Sequence, residues 1–144
     1  MSKTIIKKVI AVIMVISCIA GIAMNSSAST TNATSASWSL VETGTNYGNS
    51  NPQYRYLTYG NTYRAKLKTI SSNYSDASVT VSLAAVNDST GVVTNKGGVV
   101  LYTAGSVANM GYTIHSYETA RFKCKLNVGS GYAGSSTGTV SKIS

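Results

Sequence analysis

Histidine and acidic residues are nearly missing from this chain. Its 144 residues hold one histidine, His115, and four acids: Glu42, Asp76, Asp88 and Glu118. That scarcity excludes most hydrolytic chemistry. A glycosidase needs two carboxylates flanking one bond, and these four fall in turns or at strand ends. A zinc site draws on several His, Cys or acidic ligands. A calcium site takes six to eight oxygens from clustered acids, and Asn87-Asp88-Ser89-Thr90 reads only as a turn. A Ser-His-acid triad would have to pair His115 with Glu118. In a strand, residues three apart point to opposite faces. No G-x-S-x-G elbow is present. No enzymatic activity, metal or cofactor is therefore expected.

Cysteine and proline are equally sparse. Of the two cysteines, Cys18 lies in the apolar N-terminal stretch, leaving Cys124 without a partner once that stretch is removed. A disulfide-stapled scaffold is excluded. Cys124 alternates with Lys123 and Lys125, so it shares a face with Phe122 and Leu126 and reads as a core residue, not a reactive thiol. The one proline, Pro52, stands in no L-P-x-T-G sorting motif. One nucleotide-like pattern does occur: Gly129, Gly131 and Gly134 spell G-x-G-x-x-G. It opens onto Ser135-Ser136-Thr137-Gly138, not onto a helix whose N-terminus could hold a pyrophosphate. It reads as a loop before the last strand.

Present instead is a secretion signal. Lys3, Lys7 and Lys8 precede sixteen uncharged residues, 9–24, followed by Asn25-Ser26-Ser27-Ala28. A basic segment, an apolar segment and small residues at the cleavage site form a signal peptide. The apolar run is short of the roughly 20 residues a spanning helix needs. Val15-Ile16-Ser17-Cys18 loosely fits a lipobox, but the chain stays apolar for six residues beyond it. Cleavage is expected between Ala28 and Ser29, giving a secreted protein, extracellular or attached to a cell surface. Residues 29–36 are small and polar and are expected to form a disordered lead-in. Residues 37–144 then form a single domain.

That domain has no helical period. Three segments alternate cleanly: Tyr63, Ala65 and Leu67 against Arg64, Lys66 and Lys68; Val79, Val81, Leu83 and Ala85 against Thr80, Ser82 and Ala84; Phe122, Cys124, Leu126 and Val128 against Arg121, Lys123, Lys125 and Asn127. Each has one apolar and one wet face, as in an antiparallel sheet. Weaker strands are expected at 38–42, 53–59, 91–94, 99–103, 112–117 and 139–143. Gly60-Asn61 reads as a tight hairpin, and 88–91 and 95–98 as turns. About eight short strands with frequent turns predict an all-β antiparallel β-sandwich, with a small β-barrel as the alternative.

The expected mature chain carries nine Lys/Arg against four acids, a net charge of +5. Arg64, Lys66 and Lys68 form one row on a wet strand face. Arg121, Lys123 and Lys125 form another. In one sheet they would merge, and a continuous positive face able to grip a polyanion is expected. Five tyrosines, Tyr47, Tyr54, Tyr56, Tyr59 and Tyr63, fall within seventeen residues. Tyrosine stacks on sugar rings. Tyr54, Tyr56 and Tyr59 join the basic rows as candidate binding residues, with Tyr59 on the face opposite the other two.

The functional expectation is a secreted binding module for an anionic or carbohydrate surface, such as a cell wall or glycan. Nucleic acid is not an expected partner; peripheral membrane contact is compatible with the charge, and the oligomeric state stays open. One alternative is a bacteriocin-like or membrane-active toxin; another is a matrix or adhesin subunit. The leader, the early Trp38-Ser39-Leu40 strand and the Gly/Tyr/Asn-rich strands resemble small secreted β-sandwich proteins of Gram-positive bacteria, lactococcin-type bacteriocins among them. No site residue carries over from that resemblance. N-terminal sequencing of the secreted protein should place Ser29 first; a lipid mass on Cys18, or the intact chain in the membrane, would refute the leader.

Overall fold

The computed structural model describes residues 31–44 and 48–144. The expected leader, the Ala28/Ser29 cleavage pair and Tyr47 lie outside the described residues. The rest is all-β, with eight strands: β1 (Ser35–Thr43), β2 (Gln53–Leu57), β3 (Tyr63–Ser72), β4 (Ser78–Asn87), β5 (Val93–Leu101), β6 (Val107–Met110), β7 (Glu118–Asn127) and β8 (Ala133–Lys142). They form two four-stranded antiparallel sheets that pack face to face as a sandwich. Sheet A has the order β1-β8-β3-β6 and sheet B the order β2-β7-β4-β5. Only β4 and β5 are consecutive neighbours in one sheet; every other connection crosses between sheets.

The period-two alternation decides what fills the gap. Tyr63, Ala65 and Leu67 of β3 point inward, as do Val79, Val81, Leu83 and Ala85 of β4 and Phe122, Cys124 and Leu126 of β7. The apolar faces expected from sequence are thus buried together. Tyr63 meets Phe122 edge to face across the sandwich, with ring centroids 5.4 Å apart. The Tyr63 hydroxyl is satisfied by donating to the Thr58 carbonyl at 2.9 Å. In sheet A the inward residues Ser136 and Gly138 of β8 are small, and Val140 is its one apolar core residue. Gly138 sits between Trp38 and Leu67, and a Cβ there would lie 2.1 Å from the Trp38 ring. The indole occupies the space that a side chain would need, and its Nε1 donates to Ser136 Oγ at 3.2 Å.

Several expected boundaries change. β1 begins at Ser35, and Ala33 and Ala36 already pack on the core, so the lead-in is ordered at its end. Gly60-Asn61 is no hairpin, because β2 and β3 belong to different sheets. Gly60 pairs with Ile114, and Asn61 donates to the Ser144 carbonyl at 2.7 Å. The expected strands 91–94 and 99–103 are one strand, β5. The turn expected at 95–98 is a bulge within it, where Leu83 pairs with Gly97 and Ala84 with Asn95. Gly97 has φ +149°, and a Cβ there would collide with the Tyr112 hydroxyl. Residues 112–117 hold only the bridge at Ile114, and β6 precedes them. The 139–143 strand is the end of the longer β8.

Two predictions follow from this core. Gly138→Ala should destabilise by ~1–3 kcal/mol, the range for overpacking, because both the Trp38 ring and the Lys66 carbonyl lie within 2.5 Å of the new atom. An unchanged denaturation midpoint would show that Trp38 can shift at no cost. Cys124 supplies the other. Burial pushes its thiol up to about 12 from an ordinary value near 9, while the Arg55 charge pulls it partly back. The unfolded chain then loses this proton at lower pH than the folded one. Stability is full below about pH 9 and falls as pH rises towards 12, by up to ~1.4 kcal/mol per pH unit. Tyr63, raised from an ordinary value of 10 by burial and by the Glu118 charge, adds a further loss that sets in above about pH 10. Urea midpoints across this range should fall less steeply for Cys124→Ala than for wild type; parallel profiles would refute a neutral buried thiol.

Candidate functional site

The two basic rows do not merge. β3 lies in sheet A and β7 in sheet B. Their apolar residues face each other across the core, so Arg64, Lys66 and Lys68 project from one outer face and Arg121, Lys123 and Lys125 from the opposite one. The expected continuous positive face is corrected to two separate faces. The β3 row is also shorter than the alternation suggested. Leu67 pairs with Gly138 and Thr69 with Thr137, so Lys68 is the extra residue of a β-bulge. Thr69 takes the next outward place, and only Arg64 and Lys66 stay in register.

The β7 row is complete and has the better-built surroundings. Tyr56 lies directly opposite Arg121 on β2, and Tyr54 opposite Lys123. On the other side Thr80 faces Lys125 and Ser82 faces Lys123. The expected pairing of Tyr54 and Tyr56 on one face therefore stands, and the cations share that face. The Arg121 guanidinium carbon lies 5.2 Å from the Tyr54 ring centroid. Asn127 Nδ2 donates to Thr80 Oγ1 at 2.9 Å and fixes that hydroxyl. Tyr54, Tyr56, Arg121 and Lys125 are half-buried and Lys123 is exposed. The hydroxyls of Thr80 and Ser82 carry no sequence signal apart from their alternation with Val79, Val81 and Leu83.

No carboxylate is a cross-strand partner of this row; Asp88 reaches only the end of the face, where it accepts from Thr119, one outward place before Arg121. Glu42 is buried in β1, Asp76 and Asp88 lie in loops, and Glu118 has the inward register of β7. Alternate residues on a strand stand about 6.7 Å apart. Neighbouring cations at that distance repel by ~0.6 kcal/mol even in water. An anion laid between them removes that repulsion and adds attraction. The cation–π contact of Arg121 is worth only ~0.5–1 kcal/mol at a surface, so it holds the guanidinium in place without preventing an exchange for a ligand.

The remaining expected site residue, Tyr59, stands apart. It follows β2, is exposed, and has Lys142 Nζ 5.1 Å from its ring centroid. It lines a shallow cavity of about 210 Å³ with Thr58, Asp88, Ser116, Glu118 and Thr119. The two carboxylates there are engaged: Asp88 Oδ1 accepts from Thr119 Oγ1 at 2.7 Å, and Glu118 Oε2 accepts the His115 main-chain N–H at 2.9 Å. His115 lies in a turn, not the expected strand, and its ring stacks on Tyr117 at 5.3 Å. Glu118 thus reaches the His115 backbone despite the three-residue spacing. Among the described residues no group of three or more His, Cys, Asp or Glu could hold a metal ion. Tyr63 belongs to the core.

Sequence reasoning missed Gln53 and Arg55. They point inward at the open edge of sheet B and bond the free edge of β1. Gln53 Oε1 accepts the Ser39 N–H at 3.0 Å, Gln53 Nε2 donates to the Ser39 carbonyl, and Arg55 Nε donates to the Ser37 carbonyl. Polar residues at inward positions of a strand were the available signal. No family model, curated protein or solved structure matches the chain.

Proposed function

We propose that the protein is a secreted, non-enzymatic binding module that holds an anionic polysaccharide of a cell surface across the outer face of β2, β7 and β4. The observation that carries this reading is the row Arg121, Lys123 and Lys125, bordered by Tyr54 and Tyr56 and with no carboxylate among its cross-strand partners. The cations match a charge repeat along a polymer. The tyrosine rings offer apolar surface to sugar rings, which favours a glycan over a bare polyphosphate. Thr80 and Ser82 supply hydroxyls for the polar groups between charges. Contacts of this kind are screened, with a Debye length near 8 Å at physiological salt and about 3 Å at 1 M.

A short heparin oligosaccharide is a suitable probe, with inorganic polyphosphate as the ring-free control. Lys123→Glu should weaken heparin binding about tenfold, equivalent to ~1.4 kcal/mol, while Lys96→Glu on the β5 bulge should leave it unchanged. Tyr54→Ala with Tyr56→Ala should weaken heparin more than polyphosphate. Binding that is insensitive to salt, or equal for wild type and Lys123→Glu, would refute the reading. Leakage of dye from anionic liposomes without heparin binding would favour the membrane-active alternative.

A further inference from the structure

The outer face of sheet A carries a second arrangement that the β7 face does not repeat. Its strands present hydroxyls in outward register. Ser37 of β1 pairs with Thr139 of β8, and Thr139 with Lys66 of β3. One step along, Ser39 pairs with Thr137, and Thr137 with Thr69. One step the other way, Ser35 pairs with Ser141, and Ser141 with Arg64. Two of these three cross-strand rows therefore hold a cation on β3, beyond which β6 adds Asn109 beside Arg64 and Val107 beside Lys66. Hydroxyls pair with one another: Thr69 and Thr137 lie 2.6 Å apart and Ser35 and Ser141 3.1 Å. Arg64 Nε donates to Asn109 Oδ1 at 3.1 Å, which fixes its guanidinium. No carboxylate or aromatic ring stands among these rows.

From this we infer that the sheet A face is a second anion-binding surface, so that one molecule bridges two chains of an anionic polysaccharide. The inference rests on the reading given above for the β7 face. Sheets in a sandwich are about 10 Å apart, and the two cationic rows point away from each other on either side of that layer. One extended polymer cannot lie along both rows without bending around a sheet edge. Two polymers can, one on each face. The faces would read the polymer differently. The β7 face offers rings and cations, whereas the sheet A face offers hydroxyl donors and cations, suited to the sulfate, phosphate or carboxylate groups alone.

The test compares wild type with Arg64→Glu/Lys66→Glu and with Lys123→Glu/Lys125→Glu, each confirmed as folded by circular dichroism. Titration with a short heparin oligosaccharide should give two bound per wild-type molecule and one for each double variant. Light scattering with long heparin should rise and then fall as wild-type protein is added, because excess protein covers each chain separately. Both double variants should bind long heparin without clustering it. A wild-type stoichiometry of one that is abolished by Lys123→Glu/Lys125→Glu would overturn the second face and leave the first intact. Clustering that persists in Arg64→Glu/Lys66→Glu would also overturn it. No heparin binding by wild type would remove the underlying reading as well. Clustering of phosphatidylglycerol vesicles but not of heparin would replace the glycan with a membrane and overturn the proposal as stated.

Discussion

The contact between Tyr63 and Phe122 sets the character of this molecule. Tyr63 begins β3 and Phe122 lies midway along β7, and their rings meet across the core. These are the two strands that carry the basic rows. A strand that sends one set of side chains inward must send the alternate set outward. Once Tyr63 and Phe122 face each other, Arg64 and Lys66 must point away from Lys123 and Lys125. The same contact that buries the two largest rings of these strands therefore divides the positive charge between opposite surfaces. It also keeps like charges apart, which lowers their mutual repulsion in the folded state.

The two sheets are also tied along one side by polar groups. Among the described residues β1 is an edge strand with no neighbour beyond it in sheet A. Such an edge invites pairing with another chain. Gln53 and Arg55 occupy the main-chain groups of Ser37 and Ser39 and so take up part of that edge. Arg55 is itself held by the Tyr54 carbonyl at 2.7 Å and by Gln53 Oε1 at 2.8 Å. Hydrogen bonds to a charged donor contribute ~1.5–3 kcal/mol each where they are well formed. A chain without a disulfide gains lateral closure in this way, at positions where an apolar pair would have left the edge open. The cost is a guanidinium near the core, and its reach is visible in the pull it exerts on the Cys124 thiol.

The sequence was most legible where one side of a strand is wholly apolar. β3, β4 and β7 follow from alternation alone, because each buried face is built of Tyr, Leu, Val, Phe or Cys. β8 was read only at its end. Its inward residues Ser136 and Gly138 are small because Trp38 fills the space from the neighbouring strand. A strand that gives the core a gap and the single apolar Val140 has little apolar signature. β5 was split in two because the bulge at Lys96 and Gly97 breaks the period, and glycine there accommodates Tyr112. The loop between β6 and β7 read as a strand because Tyr112 and Ile114 have high β propensity; only Ile114 is buried there, in a single bridge.

Alternation says which residues share a face but not which sheet receives the strand. That distinction explains why the candidate residues were found and their assembly was not. Tyr54, Tyr56 and the β7 cations were each legible, yet they become one site only because β2 pairs with β7. Local pattern could not supply that pairing: 60 residues separate β2 from β7, and sheet A strands intervene on both sides in the chain. The hydroxyl rows of sheet A are the mirror case. Ser135, Thr137, Thr139 and Ser141 recur at every second position, and so do Ser35, Ser37 and Ser39. Each run taken alone resembles a polar linker. Placed side by side, with Arg64 and Lys66 completing the rows, they become a surface with a regular spacing of donors. The chemistry of both faces is therefore a property of strand order, and strand order here is fixed by which apolar faces meet in the core.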